Sequence, residues 1–290
     1  MEKNCLVTKY KATVNDNSLL KIGEMVLDII KQDTPTDRTN VLHLASNISD
    51  LTIEVEGGMM NLTLDSNMTT GWTNKIVIPA NLAKYPVYVR NGNYRIKLTS
   101  KYNVKNIGLG ENMNSAAIKV NTKYLVFSNY ITSLVAQLTG NLADLSDCIN
   151  LINISNCNKT TDIEGSLSDL APLTSLTKLY LESANKVTGS ISDLAPLTSL
   201  RELALTNDTS IVGDISDLSN PLIVIYLGGT KVKGEIIEFV KTQRANGRTT
   251  GNCTINDWRL VLTFNGVATN GGNVTWTENT ITLGDVTVNQ

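Results

Sequence analysis

Apolar residues return along the middle of the chain with a period of about two dozen residues. The run SDLAPLTSL occurs twice, after the glycines at 165 and 189. Glycines in the same phase are Gly140, Gly165, Gly189, Gly213 and Gly234, spaced by 25, 24, 24 and 21 residues. The second residue after each glycine is Leu or Ile, and an L-x-x-L-x-L set closes each of the first four units. We assign these sets to Ile149/Ile152/Ile154, Leu176/Leu179/Leu181, Leu200/Leu203/Leu205 and Leu222/Ile225/Leu227.

This repeat predicts turns that stack on one another. One unit has too few apolar side chains to offset the entropy lost when its backbone is ordered, so each turn must cover the apolar edge of its neighbour. A short strand in each turn then pairs in parallel with the strand of the next. On the return side, Ser168, Ser192 and Ser216 precede aspartates and are expected to cap short helical turns.

The pattern resembles the leucine-rich repeat family, whose repeats of about 20–29 residues carry an L-x-x-L-x-L strand. The T-G-x-I element around Gly189 is similar to the repeat variant best known from plant receptors. The resemblance covers residues 140–236. It implies a leucine-rich repeat solenoid with parallel strands on one side and short 3-10 or helical turns on the convex side.

Weaker versions of the strand pattern predict that the repeat region begins near residue 101 and ends at 236. Two degenerate sets come first, Val104/Ile107/Leu109 and Thr122/Leu125/Phe127. A cap over residues 237–290 is expected to close the stack, because an open end exposes apolar side chains and an unpaired strand edge. It combines an amphipathic helix over residues 235–246 with a β-meander that turns at Asn265-Gly266 and Gly284-Asp285. The meander contains the large aromatic residues Trp258, Phe264 and Trp276.

Residues 1–100 differ in kind from the repeats. Short runs rich in β-branched residues alternate there with turn formers such as Gly57-Gly58 and Asn91-Gly92, which predicts an antiparallel, β-sandwich-like or barrel-like module. Residues 32–40 are the most linker-like segment. The predicted fold is therefore mainly β, with this module before the repeats and the cap after them.

Composition excludes several classes of function. The 25 Lys and Arg residues against 27 Asp and Glu give a formal charge of -2, so we expect no nucleic-acid partner. No run of 18 apolar residues occurs, so we expect no membrane insertion. The first residues lack the apolar stretch of a secretory signal, and synthesis and folding in the cytoplasm are expected.

Candidate chemistry is sparse. His43 is the one histidine, and it alternates with leucines in a predicted strand, so we expect no catalytic residue, no cofactor and no metal, and we interpret the chain as a non-enzyme. The four cysteines, Cys5, Cys148, Cys157 and Cys253, have no metal-ligand spacing, and we expect buried thiols. The aspartates 169, 193 and 217 form a column, for which helix capping and a cation ladder are both open, with capping favoured.

The repeat pattern predicts one candidate binding surface, formed by the exposed positions of the parallel strands. The variable positions of L-x-x-L-x-L place Asn150 and Asn153 there, followed by the binding candidates Lys178, Tyr180, Glu182, Arg201, Glu202, Thr206 and Tyr226. Lys178 and Glu202 hold equivalent positions and are expected to pair. Tyr180 and Tyr226, separated by Ala204, are the best binding candidates, because tyrosine provides contact area at low entropic cost. A solvated face that binds nothing is the alternative.

A second resemblance concerns the role. Residues 3–9 and 20–24 and the ending from residue 239 are similar to leucine-rich repeat proteins of gut Bacteroidales bacteria and their tailed phages. The resemblance implies a non-enzymatic accessory or structural protein of the virion, a head or tail decoration or fibre-like component. Its partners would be other virion proteins or a host surface protein or glycan, with homo-oligomerisation left open. The alternative is a bacterial leucine-rich repeat interaction module in the cytoplasm or at the cell surface.

Overall fold

The fold is mainly β, with one α-helix in the part of the chain that the structure describes. The computed structural model describes residues 25–29, 41–45, 51–65, 69–78, 84–89, 94–100, 107–109, 118–124, 131–156, 162–258 and 261–290. Several predicted features lie outside these residues, namely the linker at 32–40, Cys5, Cys157, Val104, Leu125 and Phe127.

The strands before residue 101 pair antiparallel in two groups, as their β-branched runs predict. They are β1 Met25–Ile29, β2 Val41–Ala45, β3 Leu51–Val55, β4 Leu62–Thr63, β5 Lys75–Ile78, β6 Lys84–Val89 and β7 Tyr94–Ser100. The first group has the order β5-β3-β7-β1, and the second has the order β4-β6-β2, with His43 in β2. Ile53 from the first group and Leu62 and Val87 from the second belong to one buried core.

Three strands carry both groups into the repeats. They are β8 Ile107–Leu109, β9 Ile118–Asn121 and β10 Ile131–Asn141. β8 pairs with β2 on one side and β10 on the other, while β9 lies between β1 and β10. The two sheets of the first hundred residues therefore continue without a break into the stack of turns.

The structure corrects the second of the two early strand sets, whereas Ile107 and Leu109 of the first set lie in β8, which pairs in parallel with β10. The sequence pattern places Thr122 in a strand, but Thr122 lies in a 3-10 turn, Thr122–Tyr124. Its buried hydroxyl accepts the N–H of Asn141 at 2.9 Å and lies 3.0 Å from the Asp144 carboxylate, so it serves the next turn instead of a ladder. β10 itself, in which Leu134 and Leu138 are fully buried, is a strand of the array that the sequence pattern did not predict.

The L-x-x-L-x-L segments form one parallel ladder, which we call the leucine ladder. Its strands are β11 Asn153–Asn156, β13 Lys178–Tyr180, β15 Glu202–Ala204, β17 Val224–Tyr226 and β19 Gly251–Asn256. In the repeats, Leu179, Leu203 and Ile225 lie in register, as predicted, with Ile154 before them and Ile255 after them. These side chains are at most 1% exposed and form the centre of the core.

The first unit of this ladder is shifted from its predicted assignment. Ile149 and Ile152, assigned to the buried set, are 49% and 47% exposed, whereas Leu151 and Ile154 are fully buried. The third position of the set is the buried Asn156, whose side chain bonds to backbone groups of the turns on both sides, Leu138 and Glu182. Satisfied hydrogen bonds allow a polar residue at this apolar position.

A second parallel ladder contains the repeat glycines, and we call it the glycine ladder. Its strands are β12 Asp162–Ser166, β14 Lys186–Ser190 and β16 Ile211–Val212, and the end of β10 pairs with β12. Gly189 has φ +122°, and a Cβ atom there would lie 2.9 Å from the Asp193 carboxylate and 3.2 Å from the Leu167 amide nitrogen. The repeat therefore requires glycine at this point of each turn.

Each of the first four repeat glycines is followed by a 3-10 turn that is closed by a capping box. The turns are Leu142–Leu145, Leu167–Leu170, Ile191–Leu194 and Ile215–Asp217. Ser168, Ser192 and Ser216 were predicted as the caps, but the N-caps are the residues directly after the glycines, Asn141, Ser166, Ser190 and Asp214. The aspartate three residues later accepts the N–H of the cap, at 2.8 Å for Asp169 and Ser166. The column of aspartates thus caps these turns.

The C-terminal segment extends the leucine ladder and then reverses it. The helix α1, Ile236–Ala245, is followed by β19, and then by β20 Leu262–Phe264, β21 Val267–Thr269, β22 Gly271–Trp276, β23 Thr280–Leu283 and β24 Val286–Asn289. β19 is parallel to β17 but antiparallel to β22. Hairpins turn at Asn265-Gly266 and Gly284-Asp285, as predicted. β18 Gly234–Glu235 pairs with β20 and ties the last turn to this cap.

Candidate functional site

The outer face of the leucine ladder carries two rows of side chains in register. The first row is Asn153, Lys178, Glu202, Val224 and Thr254, and the second row is Ser155, Tyr180, Ala204, Tyr226 and Asn256. These positions alternate with the buried residues of the ladder, because successive side chains of a strand point to opposite faces. Asn153 stands in its predicted place, but Asn150 lies in the exposed turn before β11 and is not part of the face.

Three predicted residues form one network at the centre of the face. The Lys178 Nζ atom lies 3.2 Å from Glu202 Oε2 and 4.1 Å from the centre of the Tyr180 ring. The Tyr180 hydroxyl donates to the same Glu202 oxygen at 2.7 Å. The predicted pairing of Lys178 with Glu202 is therefore present, and the carboxylate also fixes the tyrosine.

The network changes the acidity of both partners. Desolvation alone would raise the pKa of Glu202, but the hydrogen bonds from Tyr180 and Lys178 outweigh it and hold that pKa below its usual value. Burial, followed by the hydrogen bond to Glu202, raises the pKa of Tyr180 above its usual value. The face therefore presents an ionised carboxylate and a neutral tyrosine at neutral pH.

Two aromatic residues continue the face towards the C-terminal cap. Tyr226 is half-buried and is separated from Tyr180 by Ala204, which is fully buried. The Trp258 indole covers Gly228, where a Cβ atom would lie 2.0 Å from the ring, and remains 53% exposed. Trp258 was predicted as part of the cap, and its position over the ladder was not foreseen.

The remaining candidates lie at the two ends of the strands. Arg201 precedes β15, and its guanidinium donates to the carbonyl oxygens of Thr198 and Leu200, which directs it along the flank. Glu182 and Thr206 follow β13 and β15 at equivalent positions, and both are half-buried. The structure thus brings Lys178, Tyr180 and Glu202 into direct contact, while the Arg201 guanidinium bonds to backbone oxygens of the segment before β15.

Asp208 is a buried carboxyl group near enough to Glu182 to be affected by its charge, and it was not predicted from the sequence. Asp208 is fully buried, and neither of its oxygens accepts a hydrogen bond of normal geometry. Burial raises its pKa to about 8, against a weaker opposing effect of the Ala184 backbone and with an added effect of the Glu182 charge. Asp208 occupies the position of Ala184 in the preceding turn, so the repeat gave no sign of a polar side chain here.

The described cysteines lie in the interior of the protein. Cys148 and Cys253 are buried free thiols, and burial raises the pKa of each to about 12. Among the described residues, no group of three or more His, Cys, Asp or Glu side chains is placed to hold a metal ion. In the same residues, no helix is long and apolar enough to span a membrane.

Comparison with solved structures gives partial similarities to plant receptors. The leucine-rich repeat ectodomain of the receptor kinase SOBIR1 from Arabidopsis thaliana is 19% identical, with a TM-score of 0.30, over 49% of this chain and 77% of that one. The plant peptide hormone receptor RGFR1, in complex with RGF2, is 14% identical, with a TM-score of 0.30, over 50% of this chain and 29% of the receptor. No protein-family model matches the chain, and no curated protein matches it.

The strand register itself describes the class of fold. Each turn of about two dozen residues places one strand in the leucine ladder and one in the glycine ladder, with a capped 3-10 turn between the glycine and the next leucine strand. The chain is therefore a mainly β protein with a leucine-rich-repeat-like fold.

Proposed function

We propose that the chain is a leucine-rich repeat solenoid that binds another protein through the outer face of the leucine ladder and catalyses no reaction. The observation that supports this most strongly is the row of Tyr180, Ala204 and Tyr226. Two half-buried tyrosines lie on either side of the fully buried Ala204 and place two aromatic rings on one row of the face. Tyrosine is enriched where binding energy concentrates, since its large ring loses little entropy on binding.

The surroundings of Tyr180 favour binding without rearrangement. Its hydroxyl, Lys178 and Glu202 are already joined, so a partner meets side chains whose rotamers are fixed. Ordering flexible side chains is one of the main costs of association. Because these side chains are already ordered in the free protein, less entropy is lost when a partner binds.

We further propose that the setting is the virion of a tailed phage, with the protein decorating the head or tail or forming a fibre-like component. The support is the similarity of residues 3–9, 20–24 and the ending from residue 239 to phage and Bacteroidales repeat proteins. The partner would then be another virion protein or a host surface protein or glycan. A bacterial interaction module, in the cytoplasm or at the cell surface, is the competing proposal.

The binding proposal is tested by photo-crosslinking in the cells or particles that contain the protein. A benzophenone side chain replaces Tyr226, and a control variant carries it at Asn279, an exposed residue between β22 and β23. We expect one defined protein adduct from position 226, none from position 279, and loss of the adduct when Tyr180→Ala is added. Adducts of equal yield from both positions would contradict the proposed face.

The setting is tested by mass spectrometry of purified particles and of cell fractions. Co-purification of the protein with particles at a fixed copy number supports the virion proposal. Recovery in cell fractions without particles overturns it and favours the bacterial module.

A further inference from the structure

The outer face of the cap sheet, formed by β19, β22, β23 and β24, carries asparagine and threonine side chains and no charge. These four strands contain no charged residue. On the first two strands the exposed outward residues are Asn252, Thr254, Asn256, Asn273 and Thr275, and we call this surface the Asn/Thr face. It continues the outer face of the leucine ladder, because Asn256 is in register with Tyr226 of β17.

The needs of a sheet do not explain these residue types. Asparagine is depleted in strands, and exposed protein surfaces ordinarily carry Lys and Glu for solubility. Asparagines elsewhere in the array bond to the protein itself, as Asn156 and Asn220 do through their side-chain amides. The side-chain amides of Asn252, Asn256 and Asn273 form no hydrogen bond with the described residues. Their donors and acceptors are therefore available to a ligand.

An aromatic ring lies beside the Asn/Thr face. Trp258 follows Asn256 by two residues, and its indole covers Gly228 on the outer side of the leucine ladder while 53% of the residue stays exposed. Asp257, between Asn256 and Trp258, is fully buried and accepts two backbone N–H groups of the segment that follows, which anchors this part of the chain. The indole is therefore a fixed and accessible platform at the end of β19.

The Asn/Thr face also borders a cleft of about 630 Å³ between the hairpin β20–β21 and the cap sheet. Asn273 and Thr275 line this cleft together with Val267 of the hairpin and with Gly271, which lies opposite Asn256, and none of its lining residues is charged. Cavities of about 300–1,000 Å³ with apolar walls and a few polar groups are typical sites for small ligands. The platform, the Asn/Thr face and the cleft thus form one uncharged surface.

We propose that this surface binds a neutral oligosaccharide, with one sugar ring stacked on Trp258 and hydroxyl groups of the sugar chain bound by Asn256 and Asn273. A sugar ring has an apolar C–H face that packs on an aromatic ring, and its hydroxyl groups donate and accept hydrogen bonds, as an asparagine amide does. The surface is complementary to an uncharged ligand, because a charged group desolvated there would find no counter-ion on these strands. The site goes beyond the proposed protein-binding face and does not depend on it.

The test presents the full chain to an immobilised array of neutral oligosaccharides and of their sialylated and sulfated counterparts. We expect binding to neutral members of the array and none to the acidic ones. The binding is expected to stay constant between about 0.01 and 1 M NaCl, over which the screening length falls from about 30 Å to about 3 Å. Preference for the acidic members with loss of binding at high salt, or no binding to any neutral member, overturns the proposal.

Variants locate the site, measured with the neutral oligosaccharide that binds best. Trp258→Ala is expected to lower the affinity about fivefold or more, whereas Trp258→Phe keeps most of it, because the ring forms the platform. Asn256→Asp is expected to lower the affinity about threefold or more, since it removes the amide donors and adds a charge. The matched control Asn279→Asp, in the exposed turn between β22 and β23, leaves the affinity unchanged. An unchanged affinity in Trp258→Ala would contradict the platform.

The outcomes separate this site from the proposed protein-binding face. Tyr180→Ala, which is expected to abolish the protein crosslink from position 226, leaves oligosaccharide binding unchanged. If that crosslink forms but no neutral oligosaccharide binds, the leucine ladder binds a protein and the sugar site is wrong. If the oligosaccharide binds and no crosslink forms, the proposed function fails and the sugar site stands. A protein adduct from a benzophenone placed at Asn273 would assign the Asn/Thr face to a protein partner and overturn the proposal.

Discussion

The repeat turns and the C-terminal cap continue one ladder but are held together in different ways. In the turns, the same contacts recur at each step, for example the bond of 2.8 Å between Asp169 and the N–H of Ser166 and its counterpart of 3.0 Å between Asp193 and the N–H of Ser190. In the cap, each contact occurs once. The Trp276 indole donates to the Arg248 carbonyl at 2.8 Å, and its ring meets Phe239 edge-on at 6.5 Å.

This difference predicts how strongly a single substitution lowers the stability of the repeats and of the cap. Stability in a stack of repeats is nearly the sum of the turns and of the contacts between neighbours, so equivalent substitutions cost similar amounts wherever they fall. The cap has no such redundancy. One residue that joins α1 to the last sheet carries a disproportionate share of its stability.

The largest effect is expected for Trp276→Ala in the cap. Trp276 is 3% exposed, contacts Phe239 and lies beneath the Arg248 guanidinium, which is 5.0 Å from its ring. Its truncation is expected to lower the free energy of unfolding by about 3–5 kcal/mol, measured by urea denaturation. Trp258→Ala is the matched control and is expected to cost much less, because more than half of that side chain is already exposed. Equal losses would mean that the cap is not organised around Trp276.

The next prediction tests whether adjacent turns contribute equally to stability. Leu179→Ala and Leu203→Ala remove fully buried side chains at the same position of adjacent turns, so each is expected to cost about 2–5 kcal/mol. Because their surroundings repeat, the two losses are expected to agree within about 0.5 kcal/mol in the same urea experiment. A difference of several kcal/mol would show that the turns are not equivalent in energy.

The stack was predictable from the sequence because the same residue types recur at the same places. The glycines, the leucines two positions later and the register of Leu179 with Leu203 follow from spacing alone. The first unit was assigned two residues out of phase, since Ile149, Ile152 and Ile154 satisfy the spacing on their own. The residue that decides the phase is Asn156, whose burial depends on hydrogen bonds to neighbouring turns that no pattern of apolar residues reveals.

The candidate face was predictable to the same extent. The pairing of Lys178 with Glu202 follows from register, because equivalent positions meet across adjacent parallel strands. Asp208 and the contact of Trp258 with Gly228 were not predictable. Both depend on which side chain fills a space left by a neighbouring turn, and a repeat predicts only what the turns have in common.

A smaller effect separates contact from backbone strain at the repeat glycines. Gly189→Ala introduces a Cβ atom 2.9 Å from the Asp193 carboxylate at φ +122°. Gly247→Ala has φ +85° with nothing within 4 Å of the new atom, so it experiences strain without a contact. We expect a loss of about 1–3 kcal/mol for Gly189→Ala and a smaller loss for Gly247→Ala, measured by urea denaturation. Equal values would mean that the glycine is required by its conformation alone.

The contribution of Asp208 to stability is expected to depend on pH, because its carboxyl group is fully buried. Its pKa in the folded state, about 8, lies above the ordinary value of 3.8, so the folded state holds a proton that the unfolded chain releases between these values. The stability of the native chain is therefore expected to fall as the pH rises from about 4 to about 8 and to level off above. Asp208→Asn has no charge to bury, so it is expected to be as stable as the native chain at pH 4 and more stable than the native chain at pH 8.

Asp257 provides the matched control for Asp208, because the two aspartates are equally buried but differ in their partners. Asp257 Oδ2 accepts the N–H groups of Val261 at 3.1 Å and Leu262 at 3.2 Å, so Asp257→Asn weakens bonds in the cap and is expected to destabilise it. If Asp208→Asn raises and Asp257→Asn lowers the free energy of unfolding at pH 8, a contact that occurs once stabilises the cap. The buried carboxyl group of Asp208, by contrast, destabilises the turns. A gap between Asp208→Asn and the native chain that stays constant from pH 4 to pH 8 would contradict the raised pKa.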